Sequence, residues 1–119
     1  MFLAWFTYDT ERPAEGVEAI LGEPGHRWLT AQGSYAGNTA NLTIFSTTGG
    51  VFDSTEPAAE TDPAGVGLMT VEFADCREAL VTYDMPSLGL SGAVPIQRLV
   101  DDNVALCETL ASDGGQQSN

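Results

Sequence analysis

The chain has 119 residues, the length of a single domain. Its hydrophobic fraction of 43% is that of a folded globular protein rather than a disordered one. Seventeen acidic residues against four arginines and no lysine give a formal net charge of −13. So negative a surface repels nucleic acid and anionic lipid, and no apolar run is long enough to cross a bilayer.

In chain order, residues 2–9 come first. Phe2, Ala4, Phe6 and Tyr8 fall on one face of a strand and Leu3, Trp5 and Thr7 on the other. With both faces largely apolar, this segment is predicted to be a central strand covered on both sides. It follows Met1 directly, without the basic start and longer apolar stretch of a signal peptide. The expectation is a chain that begins inside a domain, or inside a precursor whose leader is missing. Residues 10–26 are a long connection punctuated by Pro13, Gly16, Gly22, Pro24 and Gly25. Within it, Val17–Leu21 fits a short strand and a helical turn equally well.

Residues 27–34 and 39–47 read as a hairpin. Leu29 and Ala31 alternate with Trp28, Thr30 and Gln32, and Ala40, Leu42 and Ile44 alternate with Asn41, Thr43 and Phe45. Its turn is Tyr35-Ala36-Gly37-Asn38, with Gly37 and Asn38 expected to supply positive φ angles. Gly49-Gly50 ends the second strand. Residues 53–65, rich in Asp, Glu, Pro and Ala, are expected to be an exposed loop. A second hairpin follows, Met69, Val71 and Phe73 running up to an Ala74–Glu78 turn and Ala79, Val81 and Tyr83 returning. A loop over 85–92 leads to a last strand over 93–99, where Pro95 argues for an edge. Asp102 or Asn103 can cap a short helix over 103–111, with Val104, Cys107 and Leu110 on one face.

Similar strands, turns and little helix make the fold class mainly β. The expected architecture is an antiparallel meander forming a small barrel or sandwich, with a short C-terminal helix. Residues 1–111 form the single domain and 112–119 a disordered tail.

Cys76 and Cys107 are too few for a structural zinc site and too far apart for a CxxC redox motif. An even pair in a chain that looks exported is predicted to form a disulfide, Cys76–Cys107, the alternative being two unrelated buried thiols in a cytosolic protein. As a disulfide they would stabilise the fold by roughly 3–4 kcal/mol in the chain-entropy model.

Several ordered segments together resemble a known group. They are Trp5-Phe6-Thr7-Tyr8-Asp9, the stretch Ala40–Phe45 running to Gly49-Gly50-Val51-Phe52, Met69–Cys76, and Pro95–Leu99. The group is one of uncharacterised exported proteobacterial β domains, which carry a W-[FY]-T-Y-D strand, a T-x-G-G-x-F segment, an F-x-D-C turn and a late cysteine. The resemblance covers most of residues 2–107. It implies a β fold, a secreted or periplasmic location and a Cys76–Cys107 disulfide, and it implies no activity. Two departures stand out. Glycine- and aromatic-rich strands usually precede the W-F-T-Y-D strand and are absent here, and the connection from Arg12-Pro13 to Trp28 is longer than usual. The expectation is therefore a homo-oligomer, or missing strands supplied by a longer chain.

Candidate chemistry is sparse. His26, the one histidine, sits at a loop-to-strand junction, and no serine lies in a G-x-S-x-G elbow. No D-x-D-x-D-G or H-E-x-x-H motif occurs. Asp53, Glu56, Glu60 and Asp62 could gather around Ca²⁺, which takes oxygen ligands in flexible geometry; no cofactor is otherwise implied. Trp5, Trp28 and Tyr83 could line a ligand pocket, although core packing accounts for them as well. Three functions follow from these readings. The first is a non-enzymatic exported module for binding or adhesion. The second is a barrel carrying a small apolar ligand or glycan. The third is a hydrolase using acidic residues.

Overall fold

A computed structural model describes residues 1–8, 10, 14–16, 27–51 and 53–114. The strands are β1 (Phe2–Thr7), β2 (Arg27–Ala36), β3 (Thr39–Gly49), β4 (Ala59–Thr61), β5 (Gly67–Phe73), β6 (Glu78–Met85) and β7 (Leu90–Gln97). A 3-10 turn (Pro86–Leu88) joins β6 to β7, and helix α1 (Val104–Gly114) follows. All neighbours pair antiparallel in the order β1-β2-β3-β5-β6-β7, with β4 on the end of β3. The result is one curled half-barrel sheet and a C-terminal helix, the mainly β meander expected from the sequence.

The alternation of apolar residues decides which face is buried. Leu29, Ala31, Ala40, Leu42, Ile44, Met69, Val71, Ala79, Val81 and Met85 all point to the concave side and form the core. Strand register lines them up in rows, such as Leu3–Ala31–Ile44 and Ala40–Val71–Val81. Among the described residues no second layer covers this core. Of α1, only Val104 is buried, while Leu106 and Leu110 are exposed. The sheet must therefore bend over its own apolar face. Two strand glycines permit the bend. A Cβ on Gly33 would overlap the Asn41 carbonyl of β3, and one on Gly67 would overlap the Asp84 carbonyl of β6.

Several details differ from the sequence reading. β1 pairs only with β2 among the described residues, so it is an edge strand rather than a central one. Leu3 and Trp5 turn inward, half-buried, but Phe2 and Phe6 are exposed on the convex face, and Tyr8, just past the strand, is exposed too. Alternation gives the two faces of β1 but not whether anything covers the second. At the β2–β3 turn only Gly37 takes a positive φ, 60°. Asn38 instead reaches the neighbouring hairpin, where its Nδ2 donates to the Phe73 carbonyl at 3.2 Å and its carbonyl accepts from the Phe73 N–H at 2.8 Å. The acidic segment contains the short strand β4, whose Thr61 hydroxyl lies 2.6 Å from that of Thr47. Gly92 belongs to β7 rather than to the preceding loop, and α1 runs on to Gly114, into the stretch expected to be disordered. Val17–Leu21 and His26 lie outside the described residues. Pro95 does sit on an edge strand, β7, as expected.

Two substitutions test this account of the core. Ile44→Ala, at a fully buried position in the middle of the sheet, is expected to cost about 3 kcal/mol in urea denaturation. Gly33→Ala is expected to lower the melting temperature although it only adds a methyl group, because the Asn41 carbonyl leaves no room for it. A neutral effect of Gly33→Ala would contradict the close approach of β2 to β3.

Candidate functional site

The three candidate ligand residues do not converge. Trp5 on β1 and Tyr83 on β6 meet edge to face across the concave side, ring centroids 5.0 Å apart. Three strands separate β1 from β6 in the sheet, which if flat would hold them about 19 Å apart. The contact is therefore a product of the curl. Tyr83 leans over Gly92, its partner on β7, where a Cβ would lie 2.8 Å from the Tyr83 hydroxyl. Both rings pack against the core. Trp28 takes the other face. The register pairs Trp5 with Leu29 and Phe6 with Trp28, so Trp28 stands on the convex side, perpendicular to Phe6 at 5.6 Å between centroids. No pocket enclosed by Trp5, Trp28 and Tyr83 can form in this register.

The convex side of β1 and β2 is instead an aromatic surface. Phe2 is 66% exposed, Phe6 71% and Trp28 54%. Sequence alternation places these residues on one face; nothing in their spacing says that the face is uncovered.

The four carboxylates of the acidic segment are also dispersed. Asp53, Glu56, Glu60 and Asp62 are all exposed, and among the described residues no three acidic, histidine or cysteine side chains gather in a way that could hold a metal ion. Asp62 caps its own turn, its Oδ1 accepting from the Ala64 N–H at 2.9 Å.

A second feature lies at the end of the sheet where β5 turns into β6. Cys76 in that turn is disulfide-bonded to Cys107 of α1, with Cα atoms 6.0 Å apart. Between the turn, the end of β7 and α1 lies an open cleft of about 940 Å³, floored by Phe73, Ala79 and Ile96. Arginines hold this corner together. The Arg98 guanidinium donates to the carbonyls of Cys76 (3.0 Å) and Asp102 (3.1 Å), and Arg77 pairs with Asp101. Asp75 fixes the turn, its Oδ1 accepting from the N–H groups of Arg77 (2.7 Å) and Glu78 (2.8 Å). Those two backbone bonds, helped by the nearby Arg77 charge, hold its carboxyl below the usual carboxylate value. That suits a permanently ionised turn cap and not a proton donor. Sequence reading located the turn and its cysteine but not the cleft, which depends on where the disulfide draws α1. No protein family, curated protein or solved structure matches this chain.

Two outcomes are expected at this corner. Cys107→Ser should release α1, so that its amides exchange freely while those of β3 and β5 remain protected, with a loss of roughly 3–4 kcal/mol in the chain-entropy model. Loss of protection throughout the sheet would show that the helix does more than hang from the disulfide. Asp75→Asn keeps an acceptor oxygen but loses the charge. Because the native carboxyl titrates below its unfolded value of 3.8, its charge stabilises the fold above that pH. The melting-temperature gap between wild type and Asp75→Asn should therefore be largest near neutrality and close as the pH falls below 3.8. A gap that widened in acid would overturn the turn-cap assignment.

Proposed function

We propose that this chain is an exported, non-enzymatic binding module that takes its ligand on the convex face of β1 and β2. The observation that carries this reading is the exposed aromatic surface of Phe2, Phe6 and Trp28 on a sheet whose opposite face is already filled by core. Exposed aromatic side chains gathered on one face, with Phe6 and Trp28 in contact, can mark an interaction surface. The perpendicular packing of Phe6 on Trp28 fixes both rings before a ligand arrives, which lowers the ordering cost of binding. A net charge of −13 disfavours anionic ligands. A neutral ligand with flat, partly apolar faces, such as the sugar rings of an uncharged polysaccharide, suits such a surface. A secreted or periplasmic location is supported by the disulfide, since such bonds persist in oxidising compartments. A second reading, a carrier of a small apolar ligand, draws on the cleft over Phe73, Ala79 and Ile96.

Intrinsic fluorescence separates the two. The chain has two tryptophans, so Trp5→Phe leaves Trp28 as the reporter. Titration with neutral soluble polysaccharides is expected to shift its emission, and Phe6→Ala should weaken binding roughly tenfold, the loss of one aromatic contact. Absence of any response would sink the proposal. Binding of a small apolar probe that survives Phe6→Ala and is abolished by Ile96→Trp would move the site to the cleft.

A further inference from the structure

The outer edge of β1 is built to pair with itself, and we infer that two copies of this chain join there into one continuous antiparallel sheet. The inference concerns the edge of the strand and stands whether or not the convex face binds a ligand.

Hydrogen-bond phase is the first step. Met1 and Gly33 exchange both bonds across β1 and β2: the Met1 amino group donates to the Gly33 carbonyl at 2.7 Å, and the Gly33 N–H donates to the Met1 carbonyl at 3.2 Å. Bonded and non-bonded pairs alternate along an antiparallel ladder. Leu3, Trp5 and Thr7 therefore direct their backbone groups at β2. Phe2, Ala4 and Phe6 direct theirs away from it, and among the described residues no strand pairs on that side.

The second step is the absence of edge protection. Natural sheets blunt their edges with charge, proline or bulges. β7, the other edge, contains Pro95, which has no N–H to offer. β1 has neither proline nor any charged residue over Phe2–Thr7, in a chain with 17 acidic residues. Two copies meeting along β1 bring uncharged strands together; β7 is uncharged as well, but its Pro95 breaks the row of donors.

The third step is self-complementarity. A twofold axis perpendicular to the sheet at Ala4 sets Ala4 opposite Ala4 of the second copy, Phe2 opposite Phe6 and Leu3 opposite Trp5. Residues facing each other then share a face, as a twofold of this kind requires. The three outward-directed residues all fall in bonded pairs, so their N–H and C=O groups are satisfied together. The Phe2–Phe6 pairs supply aromatic cross-strand contacts on either side of the small central alanines, and Leu3–Trp5 does the same on the concave side. A shift of the pairing by two residues, the smallest that keeps the faces matched, gives up this complete set. The occupant of the edge is thus a second copy of the chain.

The test is solution mass by light scattering, together with amide exchange, in physiological salt so that the net charge is screened. The expected result is a dimer in which the Phe2, Ala4 and Phe6 amides are protected, increasingly so at higher protein concentration. Ala4→Pro removes an N–H that β2 does not use, and Ala4→Lys sets two like charges face to face on the axis. Each should keep the fold, judged by unchanged exchange in β3 and β5. Each should also weaken dimerisation roughly tenfold or more and expose the Phe2 and Phe6 amides. A monomer at all concentrations would overturn the inference, as would a dimer unaffected by both variants. So would protection of these amides in the monomer, which would mean that the edge is filled by the chain's own residues.

Discussion

The structure depends on a single sheet having to enclose its own core. Among the described residues no second sheet faces it, and α1 buries only Val104. The apolar residues of β2, β3, β5 and β6 can leave water only if the sheet curls until its two ends approach, and the meeting of Trp5 with Tyr83 is where they do. Burial of residues such as Leu29, Ile44 and Val71 drives the curl, each worth about 1.5–3 kcal/mol. The aromatic pair adds about 0.5–1.5 kcal/mol beyond its area. The backbone yields where side chains would obstruct it, at Gly33 and Gly67, and Gly92 makes room for the Tyr83 ring.

A curled single sheet has one inside and leaves much else outside. The convex face and both edges of this protein are surface by construction, and the chain treats them differently. Around the acidic segment and the β5–β6 turn the surface is charged and hydrogen-bonded to itself, as with Asp62 and Asp75. On β1, and at Trp28 beside it, the surface is aromatic and uncharged. The described surface thus divides into a charged part bonded to itself and an uncharged aromatic part.

Two of the four arginines, Arg77 and Arg98, serve the single corner where the β5–β6 turn, the end of β7 and the start of α1 come together. The disulfide from Cys76 to Cys107 closes the same corner covalently. A helix with so little buried surface would gain little from propensity alone at eleven residues. Its position is a property of the tether and of the carbonyls that Arg98 gathers.

The sequence by itself determined the hairpins, because alternation at Leu29–Ala31, Ala40–Ile44, Met69–Phe73 and Ala79–Tyr83 marks the inward residues without reference to any partner. Gly37 marked a turn, Pro95 an edge, and two cysteines one bond, each through a local property of the residue. Tertiary structure alone decided the rest. The pattern Phe-Leu-Ala-Trp-Phe-Thr is the same in a covered central strand and in an edge strand with an aromatic outer face, and only the strand order separates them. Trp5 and Trp28 were indistinguishable as pocket residues until the β1–β2 register set Trp5 against Leu29. In a sheet, a register one residue different would have exchanged their faces. The acidic segment showed its composition but not β4, since three exposed residues gain a strand only from the β3 edge beside them. The cleft, too, arises between elements far apart in the chain, and no local pattern encodes a distance between them.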